Sequence, residues 1–355
     1  MNSTLHDTAI ELLSQLIATP SFPREEDGTA EAIKFFFTSK GIRTESYLNN
    51  VYAKNKYFSG TKPVILLNSH HDTVQPASGF TNDPFRPIIK DKKLFGLGSN
   101  DAGGALVSLI VAFLYFYDKE DLNYDLIIAA SAEEEISGQN GISSLLPYLP
   151  AIDFGIVGEP TEMKMAIAER GLMVIDALAT GRSGHAAREE GDNALYKAVW
   201  DIEWVRKYSF EKISSLLGAT SMKVTCIETR NKQHNVIPDE CSFVIDVRLN
   251  ELYTHEEVLS ILQQHMSSDI KARSTRLRST AISLYHPLVK AGIGMNIPYY
   301  GSPTISDKAL MPFPALKMGP GSSERSHTAD EFIFIDEIKK GIDTYISLLQ
   351  KILCK

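Results

Sequence analysis

Two apolar segments, Pro63-Val-Ile-Leu-Leu-Asn68 and Leu126-Ile-Ile-Ala-Ala130, run directly into the polar clusters Ser69-His-His-Asp-Thr73 and Ser131-Ala-Glu-Glu-Glu135. Each apolar segment is typical of a buried strand. Three consecutive carboxylates repel one another unless protons or cations compensate their charge. Imidazole and carboxylate groups at the ends of two buried strands therefore indicate a site for divalent metal ions.

Length and composition limit the classes of protein to which the chain can belong. With 355 residues it is long for a single core, so two domains are expected. A formal net charge of −8 argues against nucleic-acid binding, which favours basic surfaces. No stretch approaches the roughly 20 apolar residues of a membrane span, and the first residues do not resemble a signal peptide. We therefore expect a cytoplasmic protein that binds neither nucleic acid nor membrane.

The cysteine content supports the same compartment. Cys226, Cys241 and Cys354 are few and widely spaced, which fits a reducing environment better than a disulfide framework. Cys226 and Cys241 lie in strand-like segments, so we expect both to be small core residues.

Strands alternate with helices in the first part of the chain, which predicts an α/β domain with a mostly parallel sheet. The pattern changes after Glu169 and reads β-α-β-β-α-β, the order of a ferredoxin-like module, with a final strand near Asp269–Leu277. The α/β pattern then resumes. We expect a catalytic domain at residues 1–170 and 286–355 that is interrupted by an inserted domain at residues 171–285.

Possible ligands follow the end of each predicted strand of the first domain. His70 and Asp72 follow one strand, Glu134 and Glu135 another, Glu159 a third, and the remaining ligand, His327, follows the last. A glycine-rich segment, Gly96-Leu-Gly-Ser-Asn-Asp-Ala-Gly-Gly104, adds Asp101. Loops at the carboxyl ends of parallel strands face a common crevice, so these side chains are expected to meet.

These segments resemble a known family, the di-zinc amidohydrolases and exopeptidases that include acetylornithine deacetylase and succinyl-diaminopimelate desuccinylase. The resemblance covers essentially the whole chain. It rests on five segments in the family's order: His70-His-Asp-Thr-Val74, the turn around Asp101, Ala132-Glu-Glu-Glu135, Gly158-Glu-Pro-Thr161 and His327-Thr-Ala-Asp-Glu331. It implies a zinc-exopeptidase-like α/β catalytic domain with an inserted ferredoxin-like dimerisation domain, and hence a homodimer.

The resemblance also implies roles for these residues. Two zinc ions per subunit, replaceable by cobalt or manganese, would share the bridging carboxylate of Asp101. His70 and Glu159 would complete one metal site, and Glu135 and His327 the other. Asp72 would orient His70 by accepting its second ring proton. Glu134 would bind no metal and would act as the general base and acid.

In the inserted domain, Gly181-Arg-Ser-Gly-His-Ala-Ala187 resembles the family's glycine-histidine loop. The resemblance implies that His185 reaches the partner's active site across a dimer and stabilises the oxyanion there. Asn235 and Arg248 resemble positions that hold the substrate's carboxylate end, for which a guanidinium is well suited. A surface role for His185 or Arg248 stays open.

The sequence departs from the family pattern at several positions. Glu133 stands where relatives usually have aspartate. Glu169 places an acid where desuccinylase relatives carry an arginine that contacts substrate. That exchange disfavours a doubly anionic diaminopimelate substrate and favours an acylated amino acid with a cationic or neutral side chain.

The resemblance implies a deacylase that releases a short acyl group from a small N-acyl-L-amino acid, of acetylornithine deacetylase type in arginine biosynthesis. A desuccinylase or acylcitrulline deacylase would use the same groups. A di- or tripeptidase is a further alternative, because an acyl amide and a peptide bond pose the same chemical problem. A metal-binding scaffold without catalysis is the last alternative, and the presence of Glu134 argues against it.

Overall fold

The computed structural model describes residues 2–188 and 190–354. The chain forms two compact units. The first contains the residues up to Ile167, the segment Ile282–Tyr300 and the residues from Ser306 onward. The second contains Ala168–Ala281 and the short segment Gly301–Ile305.

Helices and strands are numbered in chain order. The α-helices are α1 Asn2–Ile17, α2 Asp27–Ser39, α3 Gly104–Phe116, α4 Ile142–Leu145, α5 Ala194–Lys207, α6 His255–His265, α7 Pro287–Ile293 and α8 Ile335–Leu353. The strands are β1 Glu45–Tyr47, β2 Asn50–Lys54, β3 Val64–His70, β4 Ile88–Lys90, β5 Lys93–Phe95, β6 Asp125–Ser131, β7 Phe154–Val157, β8 Met165–Glu169, β9 Gly171–Thr180, β10 Gly184–His185, β11 Ile213–Ser214, β12 Gly218–Ala219, β13 Ser221–Thr229, β14 Val236–Ile237, β15 Glu240–Leu249, β16 Asp269–Ala272, β17 Thr280–Ala281, β18 Tyr299–Ser302, β19 Ala315–Lys317 and β20 Phe332–Phe334.

The first unit is built on a mixed sheet with the order β1-β2-β6-β3-β7-β19-β8. Its four central strands, β6, β3, β7 and β19, run parallel. Every residue of β3 and β6 is buried, which explains why these strands read as continuous apolar segments rather than alternating ones. Their carboxyl ends therefore lie together at one edge of the sheet.

Helix α3 is the central helix of this unit and packs on β3, β6, α1 and α8. The stretch Ser99–Phe116 is apolar enough to cross a membrane by length and composition, but 83% of it is buried inside the molecule. A helix that is covered on all sides needs apolar residues on all sides. Burial in the core therefore accounts for its composition.

The second unit contains the sheet β13-β15-β9-β16, in which all neighbours are antiparallel. Helices α5 and α6 cover one face, and their Ala198 and Leu262 share a core with Ile175 and Ile245 of the sheet. The order of elements along the chain is β-α-β-β-α-β. The predicted α/β fold with an inserted ferredoxin-like module is thus confirmed.

Two local predictions about the second unit were wrong. The last strand, expected near Asp269–Leu277, ends at Ala272. Cys226 is exposed rather than buried, whereas Cys241 is buried as expected. The reason is that β13 is the edge strand of its sheet, and its pairing with β15 shifts between Val224 and Cys226, so the alternation of inward and outward side chains is interrupted there.

Candidate metal centre

The candidate ligands meet at the carboxyl edge of the central sheet. His70 is the last residue of β3 and pairs with Ser131, the last residue of β6. Glu134 and Glu135 follow β6 after two residues, and Glu159 follows β7 after one. The structure therefore brings together the side chains that follow the strand ends, as the sequence predicts.

Two groups of three potential ligands form at this edge. His70, Asp101 and Glu159 offer ligand atoms that all lie within 4.8 Å of one another. The His70 Nε2 atom lies 3.5 Å from Asp101 Oδ1 and 3.9 Å from Glu159 Oε1. This group is mostly buried, since the His70 side chain is only 1% exposed.

The second group consists of Asp101, Glu135 and His327 and meets the same distance limit. His327 Nε2 lies 3.1 Å from Glu135 Oε2 and 3.5 Å from Asp101 Oδ2. Asp101 thus belongs to both groups and directs a different carboxylate oxygen to each histidine. This is the arrangement expected for a carboxylate shared between two cations.

The residues fit divalent metal ions on two grounds. First, His70 Nε2 is buried, and no described residue forms a hydrogen bond with it, although buried polar atoms are normally paired. Second, the donor atoms are imidazole nitrogens and carboxylate oxygens, which suit zinc and related ions.

The electrostatics of the cluster also fit bound cations. Burial, together with nearby Glu159, raises the pKa of Glu134 well above its usual value. Burial likewise raises the pKa of Glu159 to about 8. Burial alone would lower the pKa of His70, but the carboxylates of Asp101 and Asp72 raise it well above its usual value. These raised pKa values mean that the three groups bind protons readily, and bound cations would displace those protons.

Asp72 contacts both His70 and the turn that carries Glu134 and Glu135. The His70 Nδ1 atom lies 2.9 Å from the backbone oxygen of Asp72 and 3.5 Å from its carboxylate. The proton on this nitrogen is therefore accepted by the backbone carbonyl. The carboxylate instead accepts hydrogen bonds from the backbone N–H groups of Glu134 and Glu135, each at 3.1 Å, because their turn points these groups at it.

Glu133, which had no predicted role, anchors the same turn. Its backbone has φ of 52°, and its N–H donates to the buried Glu26 carboxylate at 3.1 Å. Its own carboxylate accepts hydrogen bonds from the side chain and the backbone of Asn140, at 2.9 and 3.2 Å. Glu133 therefore folds back over its own loop instead of facing the ligand groups.

Sequence reasoning missed two buried acids that hold the ligand loops. Glu331 accepts hydrogen bonds from the backbone N–H groups of Gly98, Asn100 and Asp101, at 2.8 to 3.0 Å. It thereby fixes the turn that presents Asp101. Glu331 ends the segment His327-Thr-Ala-Asp-Glu331, but nothing in the sequence of that segment indicates that Glu331 holds the Asp101 turn.

Asp307 is the second of these acids. Its carboxylate accepts hydrogen bonds from Asn68 Nδ2 at 3.0 Å and from Ser131 Oγ at 2.6 Å. Asp307 thus joins β3 and β6 just before their ligands. Burial raises its pKa to about 6. No motif in the sequence indicates this contact.

The other expected site residues lie in the second unit. His185 is exposed in β10 and accepts a hydrogen bond from the Ala187 backbone at 3.1 Å. The backbone oxygen of Asn235 accepts a hydrogen bond from the Ala186 N–H at 2.9 Å. The Arg248 guanidinium is paired with Asp246 through two hydrogen bonds of 2.8 and 3.0 Å. Their expected roles stay predictions.

The fold and the paired ligand groups define an α/β protein with a candidate dinuclear metal centre. The sequence pattern of the peptidase family M20/M25/M40 matches residues 66–351, and the chain belongs to this family of metal-dependent hydrolases of amide bonds. Among curated proteins it is similar to a succinyl-diaminopimelate desuccinylase of Wolbachia pipientis subsp. Culex pipiens, with 26% identity over 78% of this chain and 74% of that protein. It is also similar to a desuccinylase of the same name from Rickettsia bellii, with 24% identity over 96% of each chain.

Solved structures of the family share the fold. An aminopeptidase PepT from Bacillus cereus has a TM-score of 0.78 at 17% identity, covering 98% of both chains. A dinuclear metal-binding peptidase of the M20 family from Bacillus subtilis has a TM-score of 0.72 at 16% identity, covering 99% of this chain and 98% of that one. At such identities the likeness extends to the fold only.

Proposed function

We propose that this chain is a dinuclear-metal deacylase that hydrolyses the amide bond of small N-acyl-L-amino acids. The observation that carries the proposal is Glu134. Its carboxylate lies beside both ligand groups, belongs to neither of them, and accepts no hydrogen bond from any described residue. An acid left free next to two cation sites is suited to moving a proton.

Each residue of the centre has a distinct task in this proposal. His70, Asp101 and Glu159 would hold one ion, and Asp101, Glu135 and His327 the other. When bound, divalent ions lower the pKa of water toward about 7 and polarise the scissile carbonyl. Glu134 would take a proton from the attacking water and pass it to the nitrogen of the leaving amine. Asp72 would keep Glu134 and His70 in place through the contacts described above.

Zinc is the proposed metal, with cobalt or manganese as possible substitutes in vitro. Two imidazoles and three carboxylates match the ligand preferences of zinc. The free state of Cys226, Cys241 and Cys354 supports the proposed cytoplasmic location, where thiols stay reduced.

The acyl group that the enzyme removes is either acetyl or succinyl. The resemblance in sequence favours an acetylornithine deacetylase type of enzyme. The names of the curated relatives favour desuccinylation instead. Both reactions have the same bond chemistry, so the choice depends on the residues that line the acyl side of the site.

A homodimer with His185 acting across it belongs to the same proposal, as do Asn235 and Arg248 as contacts for the substrate's carboxylate. Mixing inactive Glu134→Gln subunits with inactive His185→Ala subunits tests the first part. Heterodimers would regain part of the activity if His185 acts on the partner's site. A mixture with no hydrolytic activity would contradict that role.

A substrate panel tests the proposed function. The zinc-reconstituted protein would be assayed with N-acetyl and N-succinyl derivatives of ornithine and citrulline, with succinyl-diaminopimelate, and with a set of di- and tripeptides. We expect the highest kcat/KM for an N-acyl amino acid. A preference for peptides would replace the deacylase by a peptidase, and no turnover of any compound would leave only a metal-binding scaffold.

A further inference from the structure

We propose that Arg24 selects N-acyl amino acids whose acyl group ends in a carboxylate, as succinyl does. This inference rests on the proposed deacylase function. The structural basis is a cavity of about 850 Å³ in the first unit that begins at the candidate ligand Glu135. A substrate whose amide lies at the metal centre would extend one of its ends into this cavity.

The walls of the cavity suit a short, partly polar chain. Val74 and Ile136 supply apolar surface, and Gln75 and Gln139 supply amide groups. Among the described residues that line the cavity, Arg24 is the only one with a cationic side chain. A guanidinium is the side chain best shaped to grip a carboxylate with two hydrogen bonds.

The Arg24 guanidinium is available for such a contact. Its Nε atom lies 4.0 Å from Glu133 Oε1, which is too long for a hydrogen bond. The side chain is 74% exposed, and no described residue forms a hydrogen bond with its terminal nitrogens. The Glu133 carboxylate is already bonded to Asn140, so it holds Arg24 loosely.

The acids of the cavity wall do not cancel this role. Glu135 belongs to a ligand group, where a bound cation would offset its charge. Glu133 is 4% exposed and turned toward Asn140. Glu25 also lines the cavity, but its side chain is exposed, so water screens its charge. Arg24 is therefore the one cationic side chain, among the described residues of the cavity wall, that an anionic acyl end would meet.

The backbone at Arg24 is held in an unusual state. Its φ of 76° lies in the left-handed region, which is uncommon for residues other than glycine. The buried Glu26 carboxylate fixes it by accepting a hydrogen bond from the Arg24 N–H at 2.8 Å. Glu133 and Ser137, which line the same cavity, also have positive φ values of 52° and 47°. Strained residues of this kind cluster at functional sites.

The test compares N-succinyl and N-acetyl derivatives of one amino acid in the zinc-reconstituted enzyme. The unmodified protein should favour the succinyl compound. We expect Arg24→Gln to lower kcat/KM for the succinyl substrate about tenfold, which corresponds to about 1.4 kcal/mol, and to leave the acetyl substrate within about twofold. Arg24→Lys should retain part of the preference, because it keeps the charge without the forked geometry.

Lys34→Gln is the matched control. It removes a cation that pairs with Glu31 at 2.9 Å outside this cavity. The ratio of the kcat/KM values for the succinyl and acetyl substrates should not change.

An equal loss of kcat/KM on both substrates in Arg24→Gln, or no loss on either, would overturn the role of Arg24. A protein that cleaves acetyl but not succinyl compounds would overturn it too, while the deacylase function would stand. If Arg24→Gln has a lowered Tm, the substrate ratio of Arg24→Lys decides.

Discussion

Asp101 connects the two ligand groups of the centre, because its two carboxylate oxygens face two different histidines. Oδ1 lies 3.5 Å from His70 and Oδ2 lies 3.5 Å from His327. Each histidine has one further carboxylate beside it, Glu159 or Glu135. Each cation site would therefore depend on one imidazole that the other site does not share.

His327→Ala should reduce the metal content from two ions per chain toward one. The variant leaves Asp101 and Glu135 without their imidazole, whereas the group around His70 keeps all of its members. Metal analysis of the purified variant measures this directly. His6→Ala, which removes an imidazole paired with Asp343 at 3.1 Å, is the control and should retain both ions. Two tightly bound ions in His327→Ala would show that His327 is not a ligand.

At the scale of elements, the turn before α3 determines where Asp101 lies. Gly98 has φ of 74°, and a Cβ atom there would come within 2.5 Å of Thr73. The N–H of Gly103 donates to the Gly98 carbonyl at 2.9 Å. The turn is therefore tight because glycines occupy the positions where side chains would collide. The peptide between Asp101 and Ala102 is cis.

Gly103→Ala should destabilise the protein by about 1–3 kcal/mol, the usual penalty for an overpacked site, and should weaken metal binding. The new Cβ atom would lie 2.4 Å from the Gly98 carbonyl oxygen and 2.6 Å from Leu13, so the turn that carries Asp101 has to move. Thermal unfolding and metal titration measure the two effects. Gly294→Ala is the control, since its nearest contacts are 3.4 and 3.5 Å. Unchanged metal affinity in Gly103→Ala would contradict the role given to this turn.

The elements and the ligand candidates could be predicted because both depend on local sequence. A buried parallel strand is apolar throughout, and polar residues directly after it mark its end, as at His70 and Glu135. The loop anchors could not be predicted in this way. Asp307 bonds with Asn68 across 239 positions of the chain, and Glu331 bonds with Asp101 across 230. Such contacts depend on how the sheet edge is closed, which no local pattern encodes.

The edge strand β13 shows the opposite limit of sequence reasoning. A strand-like segment around Cys226 was predicted, and β13 spans Ser221–Thr229, but the predicted burial of Cys226 was wrong. Strand propensity is a property of the segment itself, whereas burial depends on which neighbours cover it. Exposure on β13 results from its place at the edge of the sheet.

At the scale of the whole molecule, the ligand groups make the stability of the metal-free protein depend on pH. The folded state raises the pKa of Glu159 to about 8, mainly through burial. An acid with a raised pKa binds more protons folded than unfolded, so stability falls as the pH rises between about 4.5 and 8. Glu135 raises the pKa of His327 to about 9, and this contribution is lost between about 6.5 and 9.

The metal-free protein should therefore lose thermal stability steadily between pH 5 and pH 9. Bound ions require deprotonated ligands, so the gain in Tm upon adding zinc should be larger at pH 8.5 than at pH 6. Thermal unfolding with and without metal at both pH values measures this. A zinc-induced gain that is equal at both values, or larger at pH 6, would contradict the assignment of these titrating groups as ligands.

The most direct test of the central claim is to measure metal content and hydrolysis together in Glu134→Gln. The side chain belongs to neither ligand group, so the variant should bind two ions per chain like the unmodified protein. Loss of a general base lowers turnover by about 10²–10⁴-fold, and we expect a loss of at least that size on the best N-acyl amino acid substrate. Turnover near that of the unmodified protein, or loss of a metal ion from the variant, would contradict the account.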